Sequence, residues 1–385
     1  MEAKMVVKVA DSILSPLGLG STENYNAVKS GRSALKRYEG KWGLAEPFVA
    51  SCFDEDVLAD IFDRSGLGED YTRFEKMAIV ATAHALGQKA IDVSGCDTKF
   101  IIASTKGNVH LLADTQKKHT DDDRLSLLTA ARKIAKWFGN STTPLVISNA
   151  CVSGLYAQIE AMRILQAGRA ETVVVIAADM LSPFIVSGFQ AFKSVSDECC
   201  RPFDCERLGL NLGEAAACMV FQNKSKSEVG ESDWVAVSSA VFNDAYHISH
   251  PSKSAEGSYR ALAKIMEGID PELISMVNLH GTATMFNDEM EAVALERAGL
   301  SNIPVNSLKG YFGHTLGAAG LLETLVTMSA LEDGIVLGTR GFSELGVSRK
   351  INISAENRKA VGKRFIKLIS GFGGCNAAMM YEMIG

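Results

Sequence analysis

"PLVISNACVSGLYAQIEAMRILQAG", Pro144 to Gly168, runs from a short apolar stretch straight into a segment of helical period. Leu145, Val146 and Ile147 have the character of a strand, while Leu155, Ile159, Met162 and Leu165 fall along one side of a helix expected from about Val152 to Gly168. A strand feeding directly into a helix is the unit of an α/β protein. Between the two stands Cys151, at the helix mouth, where unpaired N–H groups and the dipole favour an anion. A thiol placed there can fall from about 8.5 toward or below ~7, and the same N–H groups can hold an oxyanion. Cysteine is equally at home as a small buried side chain, and on local sequence alone the two readings are evenly matched.

The same alternation continues outward. "KFIIAS" (Lys99–Ser104) and "TVVVIAAD" (Thr172–Asp179) read as strands buried on both faces. "DDDRLSLLTAARKIAKWFG" (Asp121–Gly139) carries acids at its start, bases toward its end and a glycine stop, as a helix should. "MEAKMVVKVADSILSPLG" opens the chain as a strand and turn; Lys4, Lys8 and Asp11 interrupt it too often for a secretory signal, and a cytoplasmic location follows as the default. After the polar link "NKSKSEVGESDW" (Asn223–Trp234) the pattern resumes, with strands expected in "LISMVNLH" (Leu273–His280) and "IPVNSL" (Ile303–Leu308). Helices are expected in "NDEMEAVALERAG" (Asn287–Gly299) and "LGAAGLLETLVTMSALEDG" (Leu316–Gly334), and "RFIKLISGFGGCNAAMMYEMI" (Arg364–Ile384) reads as a terminal hairpin. Residues 1–232 and 233–385 are therefore expected to form two halves of similar βα content.

Composition narrows the function. The 385 residues are 47% hydrophobic and 22% charged, ordinary for a folded chain, and the net charge of −6 is dispersed, which argues against nucleic acid as a partner. No apolar run approaches the roughly 20 residues of a membrane span. The eight cysteines are expected to be reduced. "DECCRPFDC" lacks the paired spacing of a metal site, and no phosphate-binding glycine loop is present, so neither metal nor nucleotide cofactor is expected.

A cysteine that accepts an acyl group needs a base or an electrophilic partner, and two of the seven histidines stand out. His280 ends a strand in "VNLHGTATMFNDEME", and His314 sits in "NSLKGYFGHTLGAAGLLE", both flanked by small residues that allow close approach of a ligand. Any single histidine is more often a satisfied structural side chain, as His84, His110 and His119 are read here. Lys309 precedes His314 by five residues and Glu323 follows it by nine; a nearby ammonium would hold the imidazole neutral, and a carboxylate would fix the lysine. As a lone pair they would more often be a surface contact. Phe372 sits at the centre of the glycine-rich turn "SGFGGCN".

Taken in order, "ILSPLGLGSTENYNAVKSGRSAL", "NACVSGLYA", "CCRPFDCERLGLNLGEAAACMVF", "NDAYHISHP", "LHGTATMFNDEMEA", "NSLKGYFGHTLGAAGLLE" and "SGFGGCNA" resemble the β-ketoacyl acyl-carrier-protein synthases, the elongating condensing enzymes of the thiolase-like superfamily. The likeness runs nearly end to end. It implies a thiolase-like fold, two mixed-sheet halves packed as α-β-α-β-α layers, and condensation of malonyl carrier protein with an acyl group. Cys151 matches the nucleophile, His280 and His314 the pair acting on the malonyl thioester, and Lys309 and Glu323 the supporting pair. Asp288 matches the acidic position after the first histidine. Thr282 and Thr284 match the threonines that line the phosphopantetheine channel, and Phe372 the gating aromatic whose N–H joins that of Cys151 in the oxyanion hole.

The resemblance further implies no metal or redox cofactor, acyl carrier protein as partner, and a homodimer, or a heterodimer with a related subunit, formed by strand addition to a shared sheet. A silent subunit resembling a chain-length factor and a thiolase using Cys375 are the competing readings; the first lacks the cysteine, and the second lacks H-G-T-x-T. Two positions depart from the family, Phe312 where threonine is usual before Gly-His and Cys375 where threonine is usual after G-F-G-G. "KGYFGHTLGAAG" is similar to synthases of aryl-polyene or flexirubin-like pathways.

Overall fold

Val173 to Ala178 are wholly buried, with odd positions facing one core and even positions another, so this strand lies between two layers of side chains. The structure, a computed structural model, describes residues 4–89, 91–113 and 123–385. Strands β1 (Met5–Ser15), β2 (Thr98–Ala103), β3 (Leu145–Ile147), β4 (Thr172–Asp179) and β5 (Ala215–Lys224) assemble in the order β1-β5-β4-β2-β3. The second half supplies β6 (Trp234–Asn243), β7 (Met276–Asn278), β8 (Pro304–Asn306), β9 (Asn352–Ile353), β10 (Arg364–Gly371) and β11 (Cys375–Met383), in the order β6-β11-β10-β7-β8-β9.

Both halves repeat one pairing rule. The first strand is antiparallel to the last, the last is antiparallel to the next, and two parallel partners follow. A short contact between β1 and β6, at Val7↔Val235 and Lys8↔Trp234, makes the two arrays continuous. The polar link ends where Trp234 is buried and donates its indole N–H to Glu332 at 2.7 Å.

The helices complete five layers. α1 (Arg73–Gly87) and α2 (Leu127–Trp137) cover the outer face of the first half; α5 (Glu256–Ile265) and α6 (Met285–Arg297) cover that of the second. Between the sheets lie α3 (Ser153–Gln166) and α7 (Ala319–Glu332), in contact with each other, while α4 (Pro183–Ala191) sits near the active-site rim. This is the expected α-β-α-β-α arrangement. Its central layer is unusually close, because a Cβ on Gly154 would meet the Gly317 carbonyl at 2.5 Å and one on Gly320 the Leu155 nitrogen at 2.6 Å.

Most expected elements lie where the periodicity places them. α2 starts at Leu127, capped by the Ser126 side chain, later than the acidic run suggests; Asp121 and Asp122 lie outside the described residues, as does His119. Gly139 follows the helix at φ +74°, a conformation that favours glycine. Among the described residues no helix is long and apolar enough to cross a membrane.

Candidate active site

The candidate residues gather just beyond the carboxyl ends of parallel strands, where open α/β sheets generally bind ligands. The chain leaving β3 passes through Ala150, held at φ +44°, before Cys151 and the start of α3 at Ser153. Left-handed alanine is strained by about 1–2 kcal/mol, and the elbow is tied by Ser153, whose hydroxyl accepts from Asn149 N–H at 2.8 Å and donates to Ala150 C=O at 2.6 Å. The turn projects Cys151 toward the second half.

His280 follows β7 by two residues. Its backbone N–H and that of Gly281 donate to the two oxygens of Glu291, each at 2.7 Å. Gly281 is at φ +44°, and a Cβ there would collide with Ser307 at 2.5 Å. His314 follows β8 by way of the single helical turn Lys309–Phe312 and is anchored on the first half, its N–H donating to Asn211 C=O at 2.7 Å. The two rings stand 4.9 Å apart, nearly perpendicular, and His314 Nε2 lies 2.9 Å from Cys151 Sγ. Residues 163 positions apart thus share one buried cluster.

Burial first, then nearby ammonium groups, hold both imidazoles well below their ordinary value. Lys309 is buried and pairs with Glu323 on α7. His280 Nδ1 and His314 Nδ1 have no hydrogen-bond partner among the described residues, leaving polar atoms for a substrate or water to satisfy. A cavity of about 340 Å³ opens onto Cys151, His280, His314, Thr282, Thr284 and Phe372. Thr282 and Thr284 touch through their hydroxyls at 2.9 Å. Phe372 stands at the hairpin turn, stacked on Phe189 and edge-on to Phe192, and its backbone N–H reaches the Cys151 sulfur.

One chemical expectation is overturned. Burial pushes the Cys151 thiol up to about 11 rather than down, because desolvation outweighs Lys309, Lys106 and the Phe372 N–H. The helix mouth supplies donors, but the sulfur in this state is a thiol beside an imidazole. The three side chains place their donor atoms within 4.8 Å of one another.

The model of the β-ketoacyl synthase N-terminal domain matches residues 3–227, and that of the C-terminal domain matches residues 235–343. The chain belongs to the β-ketoacyl synthase family. It is an acyl-transferring condensing enzyme of chain elongation. This synthase is 31% identical to the 3-oxoacyl-[acyl-carrier-protein] synthase 2 of Vibrio harveyi, covering 100% of both chains. It is 26% identical to the tetracenomycin ketoacyl synthase alpha subunit of Streptomyces glaucescens, over 97% of this chain and 96% of the relative. In fold it matches a β-ketoacyl synthase from Burkholderia phymatum with a TM-score of 0.87 at 24% identity, over 99% of this chain and 100% of that one.

The remaining positions of the synthase sort by contact. Asp288 is buried; it accepts from the N–H groups of Thr282 at 3.0 Å and Phe203 at 2.7 Å, and burial raises it to about 6. Phe312 is core, and the Cys375 sulfur accepts from Asn149 Nδ2 at 3.2 Å. Three residues were missed by sequence reasoning. Glu291 shares a helix face with Asp288 at i,i+3, a spacing that was there to be read. Asn278 and Lys367 sit inside β7 and β10; the only signal was a lysine interrupting the apolar run "RFIKLIS".

Proposed function

We propose that Cys151 carries the growing acyl chain as a thioester and that His280 and His314 generate the carbanion that extends it. The observation that carries this reading is the 2.9 Å approach of His314 Nε2 to Cys151 Sγ, with the His280 ring beside it in the same cavity. Cys151 Sγ attacks the acyl thioester of a carrier protein, and the thiol proton leaves with the departing carrier thiol. The oxyanion that develops is held by the N–H groups of Cys151 and Phe372, each such donor contributing ~3 kcal/mol in comparable sites.

Malonyl carrier protein then enters along Thr282 and Thr284. Loss of CO₂ leaves its bonding electrons on an enolate, whose oxygen accepts N–H donation from the two neutral imidazoles. The α-carbon attacks the acyl carbonyl, the Cys151–carbonyl bond breaks, and the thiolate regains a proton from solvent. Neutral rings suit this role, since each must donate without first carrying charge. Lys309, fixed by Glu323, keeps them so, and Asp288 braces the loop that carries the threonines.

The substrates bring their own phosphopantetheine arm, and no other cofactor enters. In this reading residues 1–232 carry the nucleophile and residues 233–385 both imidazoles. The neighbours support the partners: a ketosynthase from Xenorhabdus doucetiae was solved with its chain length factor, and another ketosynthase with an acyl-carrier protein. We assign this chain the same carrier partner, a homodimer or a pair with a related subunit, and a cytoplasmic location. "KGYFGHTLGAAG" supports a place in aryl-polyene- or flexirubin-like elongation.

The test uses purified protein with malonyl and acyl carrier proteins. The expected result is a β-ketoacyl product two carbons longer and acyl mass on the Cys151 peptide. Cys151→Ala should lose acylation while keeping malonyl decarboxylation at least in part. Absence of product and acylation with every primer would overturn the reading in favour of a silent subunit.

A further inference from the structure

Lys367 is 0% exposed, near the middle of β10, and five residues ahead of Phe372. An ammonium has three N–H donors, and here all three find oxygen: Asn278 Oδ1 at 2.6 Å, Glu323 Oε2 at 2.6 Å and Leu279 C=O at 3.4 Å. Glu323 receives Lys367 on one oxygen and Lys309 on the other. Asn278 also donates to Asn306 at the end of β8.

The placement of these partners matters more than their number. Asn278 and Leu279 are the two residues before His280. Asn306 precedes Lys309, which leads to His314. Glu323 lies on α7, in the central layer against the helix that begins beside Cys151. One buried cation therefore joins the strand ends that deliver both imidazoles to the helix layer that faces the sulfur. A buried lysine is costly unless paired, and three oxygens built around this one offset that cost.

We propose that Lys367 is a positioning residue for the histidine pair, acting as an internal cation that locks His280 and the Lys309–Glu323 pair into one unit. This rests on the reading of His280 and His314 as the groups that act on the malonyl thioester. Lys367 does not touch the cavity, so its effect falls on the geometry and charge state of the rings and not on substrate contact.

The titratable groups packed around the two histidines are Cys151 before α3, Lys309 on the turn before His314, Glu323 on α7 between the two lysines, Glu291 and Asp288 on α6, which hold the backbone of the His280 loop, and Lys367 itself. Of these, Lys309 and Lys367 act on both rings to keep the proton off. Removing Lys367 takes away positive charge, so the imidazoles bind a proton more readily. Because the donor form is neutral, the acid limb of decarboxylation should move to higher pH.

The experiment compares wild type with Lys367→Met and Lys367→Ala, assaying malonyl carrier decarboxylation and, separately, acylation of Cys151. For Lys367→Met the expected result is a fall of more than about tenfold in kcat for decarboxylation, KM within about threefold, and acylation of Cys151 within about threefold. The acid limb of its pH profile should also shift upward. Lys367→Ala leaves the oxygen cage open, and ethylammonium should restore its decarboxylation in a saturable way without affecting wild type.

Equal loss of both half-reactions, an unmoved pH profile, or no response to ethylammonium in a folded Lys367→Ala protein would overturn the proposal. Should Lys367→Met fail to fold, Lys367→Gln, which keeps hydrogen bonding but lacks the charge, carries the same comparison. If wild type itself decarboxylates no malonyl carrier, the histidine assignment fails instead, and the two failures are told apart.

Discussion

Cys151 and its neighbours set two predictions at the scale of single residues. With the thiol held up to about 11 by burial, the thiolate fraction rises about tenfold per pH unit below that value. Alkylation of Cys151 by iodoacetamide should therefore keep accelerating from pH 7 to pH 9, read by mass on its peptide; a plateau below pH 8 would show that the helix mouth and His314 dominate after all. The imidazoles lead to the second prediction. In the proposed reaction each supplies one N–H to the enolate, so His280→Ala or His314→Ala should slow decarboxylation by at least about 100-fold. Acyl transfer onto Cys151 should suffer much less, and equal slowing of both would contradict the division of roles. Measuring the half-reactions separately on purified variants decides it.

At the scale of elements, α3 and α7 approach too closely for any side chain larger than hydrogen at Gly154 and Gly320. Gly320→Val would drive a methyl into the Leu155 backbone, and overpacking of this kind costs ~3 kcal/mol. Urea unfolding should show that loss, with activity falling too because α7 carries Glu323 and α3 begins beside Cys151. An unchanged midpoint would mean that the helices part more easily than their packing suggests. These elements also show what the sequence makes legible. β3 and α3 are readable because an apolar run gives way to a 3.6-residue period, and His280 and His314 because glycine and threonine surround them. Lys367 escaped because one lysine in a strand ordinarily marks a solvent-facing position; only the pairing of β10 with β7 puts Asn278 beside it. The thiol's direction escaped for a related reason, since a helix mouth is a local feature whereas desolvation depends on what the far half of the chain lays over it.

Across the whole molecule the two halves obey one pairing rule, yet they differ at their outer edges. Among the described residues β8 of the second half is covered by β9, whereas β3 of the first half is the terminal strand and Leu145 is 42% exposed. An uncovered edge is a template for another chain, which places the proposed subunit contact on β3. Ile147 C=O accepts from Ser104 N–H, so the backbone polar groups of Ile147 face inward and those of Val146 face outward. Val146→Pro therefore removes one outward N–H and leaves the inward ladder intact. If subunits join by strand addition here, the variant should shift from dimer toward monomer in sedimentation analysis while its far-UV circular dichroism stays unchanged. Condensing activity should fall with the dimer, since Cys151 lies four residues beyond Ile147 on the same run of chain. A Val146→Pro protein that sediments as wild type would place the subunit contact elsewhere on the surface.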